Sequence, residues 1–382
     1  MHSNRLVHLE CSRGIASIIV LFHHFTLAFM PALTTSFLHG NGIKHTPLFV
    51  LINGQGAVTF FFVLSGFVLT TKLYRNFSHQ ALFSSALKRL PRLLVPAAAS
   101  ILVGYVIFVY GNAPHKLAAE LASSEWLALF GNAHLPPDHT PSLLDAARQS
   151  LLVFFVPDNF YYNSNLWTMR NEYYGSMLVF GIVVLFGAMQ SNRFIIITLV
   201  HTVSLAMSLY LYRAMAPFIL GSYLAFYLSQ RKAPLDIGTL QAVGLVALAL
   251  IGFCADHWLA NIVASFVLLI VLVTSQPLIA LASGRSGALL GTLSFPIYLV
   301  HTLVILSASS VIYSACSPFL SQAAALMITL AATMVISVVA SIPFVFLDTY
   351  WTAFSNSAAR ALTVTLQSTF RRIATTKEKP IS

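Results

Sequence analysis

Charge is scarce in this chain: Asp, Glu, Lys and Arg make up 8% of its 382 residues, and only 11 residues are acidic. A soluble domain carries about 25% charged residues, so so few charges cannot cover a 41.7 kDa protein in water. Cysteine is equally thin. Cys11, Cys254 and Cys316 lie far apart with no CxxC pair, which argues against a disulfide framework and a zinc site. No internal repeat or low-complexity tract is present. The bases form no stripe and no aromatic-interleaved patch, so the net charge of +10 does not describe a nucleic-acid surface.

What is abundant is apolar. Hydrophobic residues reach 57% and mean hydropathy is +0.80, which predicts an all-α polytopic membrane protein. A span needs roughly 20 apolar residues, and about ten segments qualify: roughly 14–32, 49–70, 94–111, 167–189, 194–212, 215–230, 239–254, 259–279, 287–310 and 322–346. The sixth and seventh are short. The first apolar stretch exceeds a secretory signal core and holds a His pair, so it reads as an uncleaved helix.

The positive-inside rule orients the chain with both termini cytoplasmic. Arg5, Arg13, Lys72, Arg75, Lys88, Arg89, Arg92, Arg193, Arg231, Lys232, Arg285, Arg360, Arg371, Arg372, Lys377 and Lys379 then lie inside. Only Lys44, Lys116, Arg148, Arg170 and Arg213 lie outside. Residues 1–348 read as one membrane domain and 349–382 as a basic cytoplasmic tail. In that tail Leu362, Leu366, Phe370 and Ile373 share a helical face beside Arg371 and Arg372, as in a helix lying on the inner leaflet. Between about 111 and 166 runs a long outer connection holding Pro114, Pro136, Pro137, Pro141 and Pro157. Its two apolar pieces, 117–130 and 143–156, are too short to span and are expected to lie at the interface or to re-enter partway. A loop of that length is often functional.

Ionisable side chains inside spans are costly and point to function. Arg13 and His24 are eleven positions apart, within about 20° of three whole turns, so they share a face about 16 Å apart along the axis. Glu10, three residues before Arg13, lies about 60° off that line. Arg13 alone reads equally as a snorkelling anchor or a ligand, whereas a mid-membrane His24 needs a partner or a wet cavity. His23 and His201 read as structural. The Ser65-Gly66 step permits close approach of a backbone or a ligand. Arg89 and Arg92, three apart at a helix start, either hold phosphates or follow the inner charge bias. Glu172, one turn into the fourth span, can orient a His, bind a sugar hydroxyl or pair with Arg170. His301 sits mid-membrane beyond the helix-loosening Pro296. The outer run from Pro157 to Asn163 offers either a sugar platform or interfacial aromatics.

These segments in this order resemble the acyltransferase-3 family, membrane enzymes that move acyl groups onto carbohydrates and related acceptors. The resemblance runs from about Leu6 to Phe346. It is carried by Glu10-Cys11-Ser12-Arg13-Gly14-Ile15-Ala16 through His24, by the Phe61–Phe67 stretch, by Arg89 and Arg92, by Trp167 followed by Glu172, and by Ile297 to His301. It departs where Asp348-Thr349-Tyr350 stands for Glu-Arg-Pro, where Thr59 replaces a common Asp, and where Trp167-Thr168-Met169 replaces Trp-Ser-Leu.

The resemblance implies acyl-CoA, acetyl-CoA by preference, as a donor substrate, with no permanently bound cofactor and no metal. It implies His24 and Glu172 as catalytic residues, and Glu10, Arg13, Ser65, Arg89, Arg92, Trp167 and His301 as substrate-contacting ones. His24 acts either as a general base toward an acceptor hydroxyl or as a nucleophile forming an acetyl-His. The acceptor class it implies is an exopolysaccharide, a lipid-linked glycan or a glycolipid at the inner membrane, with membrane lipid and glycan-biosynthesis proteins as partners. The rival from the residues alone is a permease or flippase with no chemistry.

Overall fold

The computed structural model describes residues 6–35, 43, 46–132, 135–136 and 139–377, side chains excepted at 34–35, 364 and 366–377. The tail's apolar face from Leu366 onward lies outside the described side chains, as do Arg371, Arg372 and Lys377. Arg5, Lys44, Pro137 and Lys379 lie outside the described residues altogether. Among the described residues there are helices and no strands. The first helices are α1 (Val7–Phe29), α2 (Pro31–Thr35), α3 (Gly54–Arg75), α4 (His79–Leu87) and α5 (Arg89–Tyr110). The outer connection folds into α6 (Pro114–Ala122), α7 (Glu125–Ala128) and α8 (Leu143–Leu152). Then come α9 (Trp167–Ala188), α10 (Arg193–Leu211), α11 (Ala216–Ser229), α12 (Thr239–Cys254), α13 (Trp258–Thr274) and α14 (Gln276–Ala282). The chain ends with α15 (Arg285–Val304), α16 (Ser310–Cys316) and α17 (Gln322–Lys377).

Seven helices among the described residues are long and apolar enough to cross a membrane, and eight if α13 and α14, bent by 89°, form one span. The expected count of about ten is not confirmed by length and composition. α11 has 14 residues and α12 has 16, which rise only about 21 and 24 Å, short of a hydrocarbon core of about 30 Å. Outward faces are lipid-like: Leu199, Val203 and Met207 form an exposed stripe on α10. On a water-soluble surface such a stripe would be a sticky patch.

Two close approaches position the interior. α1 packs along α15 because Gly14 lies against the backbone of Leu290 and Gly291 against Glu10. A Cβ on Gly14 would stand 2.6 Å from the Leu290 carbonyl oxygen, so a side chain there would prise the two helices apart. The Ser65-Gly66 step is the second contact. There α11 crosses α3, with Gly66 on the Phe218 carbonyl and Gly221 on the Val63 carbonyl. The short α11 is thus a buried packing helix, with Phe218 and Phe226 in the main core beside Phe62 and Phe67. A second core joins Phe25, Ala28 and Phe29 of α1 to Leu127 and Phe130 of the outer connection and to Ile305 and Leu306. The last two lie in a π-helical turn, Ile305–Ser309, directly after α15. Such turns are frequent beside functional sites.

Candidate active site

Six helices surround a cavity of about 210 Å³: α1, α3, α5, α9, α15 and α17. Its polar lining holds Arg13, Arg89 and Arg92, together with three carboxylates, Glu10, Glu172 and Asp348. The three arginines are therefore matched in number by carboxylates. Asp348, noted in the sequence only as a departure, supplies one wall from α17, which is tied to α5 by Trp351 Nε1 donating to the Pro91 carbonyl at 2.6 Å.

Glu172 joins the arginine cavity. Its Oε1 accepts from Ser65 Oγ at 2.6 Å and forms an ion pair with Arg89. Arg89 also donates from Nε to Ser176 Oγ at 2.8 Å, so its planar fork is held on two sides by α9. Arg13 and Arg92, both partly exposed, remain facing the cavity. At the far end stands Tyr298. Its hydroxyl donates to the Asn165 carbonyl and so accepts from Thr168 Oγ1 at 2.7 Å.

Beyond Tyr298, one turn further along α15, is the partner that reaches His24. His24 Nδ1 and His301 Nε2 are 2.9 Å apart. The network assigns their protons. His301 Nδ1 lies 2.9 Å from the Ile297 carbonyl, which can only accept, so Nδ1 carries the hydrogen and Nε2 is the acceptor. His24 must then donate from Nδ1, which leaves the Nε2 lone pair as its basic position. Neither histidine lines the arginine cavity. His23 turns away and bonds the Ile52 carbonyl at 3.0 Å. His201 bonds Ile197 and Ser222 within α10 and α11.

The segment before α9 holds His301 in place. Asn165 Nδ2 donates to the Tyr298 carbonyl at 2.9 Å and to Thr302 Oγ1 at 2.6 Å. Asn163 Nδ2 donates to the Leu299 carbonyl at 2.9 Å. Tyr162 and Asn163 are 0% exposed, so the second half of the Pro157–Asn163 run is a buried wedge against α15, not a sugar platform. The reason is local: a carbonyl has two lone pairs, and these amides fill the second on α15. Trp167 also lies apart from the arginine cavity. It lines a separate hollow of about 290 Å³ with Arg170, Asn171 and Tyr212. Arg170 stands over the Tyr174 ring and is not brought to Glu172.

On the other side of His24 is a residue for which the sequence offered no pattern. The Trp126 ring of α7 stacks on the His24 ring, centroids 5.5 Å apart and planes 24° apart. The same outer connection carries His115, edge-on to Phe130. Burial, with Lys116 adding to it, pushes His115 down to about 4, against about 6.5 in an unfolded chain. The folded state prefers the neutral ring, so its contribution is complete above about pH 6.5 and is lost as pH falls toward 4, by about 3 kcal/mol at most. Thermal unfolding in detergent should therefore show an acid limb in that window, and His115→Gln should flatten it.

The acyltransferase-3 family model, an acyltransferase domain, matches residues 6–342. No curated protein and no solved structure matches the chain. The matched region takes in α1 with Arg13 and His24, the arginine pair of α5, Glu172 and His301; the chain belongs to the acyltransferase-3 family and is a multi-pass membrane acyltransferase.

Proposed function

We propose that this enzyme takes an acetyl group from cytoplasmic acetyl-CoA and places it on a hydroxyl of an extracytoplasmic or lipid-linked carbohydrate at the inner membrane. The carrying observation is the arrangement along α1. Arg13 opens on a cavity of about 210 Å³, and about 16 Å further along the same helix face His24 presents an unprotonated Nε2. That cavity is smaller than the 300 Å³ or more of a drug-sized site. It suits an extended thioester arm, with the phosphates kept at the mouth near Arg13 and Arg92. The excess of Lys and Arg on one side supports cytoplasmic termini, an orientation in which this mouth faces the side where coenzyme A is found.

In this reading the acceptor oxygen bonds the acyl carbon as His24 Nε2 takes its proton. The C–S bond then breaks, and the proton passes from His24 to the leaving thiolate. A ternary-complex pattern fits this route, and two-stage ping-pong kinetics fits an acetyl-His. The test is label transfer: membranes with and without the protein receive acetyl-labelled acetyl-CoA and the source cell's glycan fraction. Label should enter glycan only where the protein is present. Label absent from glycan, with no retention of coenzyme A at millimolar concentration, would reject the enzyme reading in favour of a permease.

A further inference from the structure

We infer that Trp126 is a positioning residue that covers His24 on the outer-loop side and keeps water from the acyl group until the acceptor arrives. The ring is placed by construction. Ser124 caps α7 by accepting from the Leu127 amide, and donates from Oγ to the Leu27 carbonyl of α1 at 2.8 Å. Leu27 follows His24 by three positions, so the hairpin is bonded to α1 close to the base. Leu127 and Phe130, at 0% and 1% exposure, anchor it in the second core. Behind the indole lies Gly131, whose amide bonds the Trp126 carbonyl at 2.7 Å. A Cβ on Gly131 would stand 2.9 Å from Trp126 Cζ2.

The backbone around this hairpin is strained. Among the described residues six non-glycine positions have left-handed φ, and Asn112, Ala113, Ser123 and Phe130 bracket α6 and α7. Each costs of order 1 kcal/mol or more and persists only where the surroundings over-determine it, which is characteristic of functional sites. Two of them, Ser123 and Phe130, flank the four-residue α7 that presents the Trp126 ring. The consequence follows from the thioester. With the cover gone, water replaces the acceptor hydroxyl: its oxygen bonds the acyl carbon as His24 Nε2 takes one proton, the C–S bond breaks, His24 returns that proton to the thiolate, and acetic acid and the thiol leave. This consequence rests on the acyl-transfer reading, whereas the cover itself does not.

The experiment has two readouts on the full-length protein in detergent. The first is acceptor-free release of coenzyme A from acetyl-CoA. The second is the rate of His24 modification by diethyl pyrocarbonate, read by mass spectrometry against the exposed His257. Trp126→Ala should raise both about tenfold or more, and Trp126→Phe should return both near wild type. Where Trp126→Ala does not give folded protein, Trp126→Leu keeps apolar bulk without the flat ring. Unchanged modification overturns the cover. Faster modification with hydrolysis unchanged, in an enzyme that transfers acetyl, overturns the exclusion of water. Faster modification with no coenzyme A released by any protein, even with acceptor present, keeps the cover and rejects acyl transfer instead.

Discussion

His24→Ala should lower acetyl transfer by about 10²–10⁴-fold, the usual worth of a general base, while coenzyme A affinity stays within about twofold of wild type. The split is expected because His24 lies past Tyr298 and does not line the arginine cavity. His301 supplies the sharper test. It holds His24 through Nε2 at 2.9 Å and is itself fixed by the Ile297 carbonyl. His301→Gln leaves an amide oxygen able to accept from His24 Nδ1, so a loss of about tenfold is expected. His301→Leu offers no acceptor. The His24 ring then loses its imidazole acceptor and keeps only the Val20 carbonyl one turn back, so the basic Nε2 is less firmly held and the loss should exceed that of His301→Gln. Single-turnover transfer rates beside coenzyme A titration measure both effects. Equal rates for His301→Leu and His301→Gln would show that the imidazole pair does not set the tautomer.

Much of this was legible because helical periodicity is rigid. The spacing from Arg13 to His24 fixes a shared face whatever the surroundings, and the family motif names the same positions. The angle between neighbours on α9 was equally readable. Arg170 and Glu172, two apart, point to nearly opposite sides, so their pairing was never geometrically favoured. Trp167 and Glu172 are five apart, about 140° around the axis, so they face different hollows. Thr168 and Glu172, four apart, share the cavity wall. What periodicity does not contain is which helices meet. His24 reaches His301 because Gly14 and Gly291 let α1 and α15 touch backbone to backbone near the other end. Glu172 reaches Arg89 because Ser176, one turn on, takes the guanidinium Nε. Trp126 had no signal at all. It sits on a four-residue helix between left-handed residues, where neither hydropathy nor period applies. The count of about ten spans is not confirmed for a related reason: a hydropathy window does not separate an apolar helix long enough to cross from one, like α11, that is short and buried.

Glu172→Met should destabilise the protein by about 3–5 kcal/mol, because it strands the Arg89 charge in a protein interior. Arg89 is 7% exposed and the Glu172 side chain 14%, so water screens little of that cost. Arg89→Met alone should cost a similar amount by stranding the carboxylate. The double variant Arg89→Met with Glu172→Met should recover most of the loss, since two apolar side chains of similar length fill the space with no unpaired charge. Thermal unfolding of the four proteins in detergent closes the cycle. Donor binding should separate from stability in the same set. Arg89 already spends its fork on Glu172 and Ser176, so removing the pair changes the cavity's net charge by nothing. Arg92 faces the cavity, and a charged hydrogen bond to phosphate is worth about 1.5–3 kcal/mol. Arg92→Ala should therefore weaken coenzyme A binding by about tenfold or more, while the double variant weakens it less. A double variant that loses as much affinity as Arg92→Ala would mean that Arg89 releases Glu172 and grips phosphate itself, making the ion pair a latch opened by the donor.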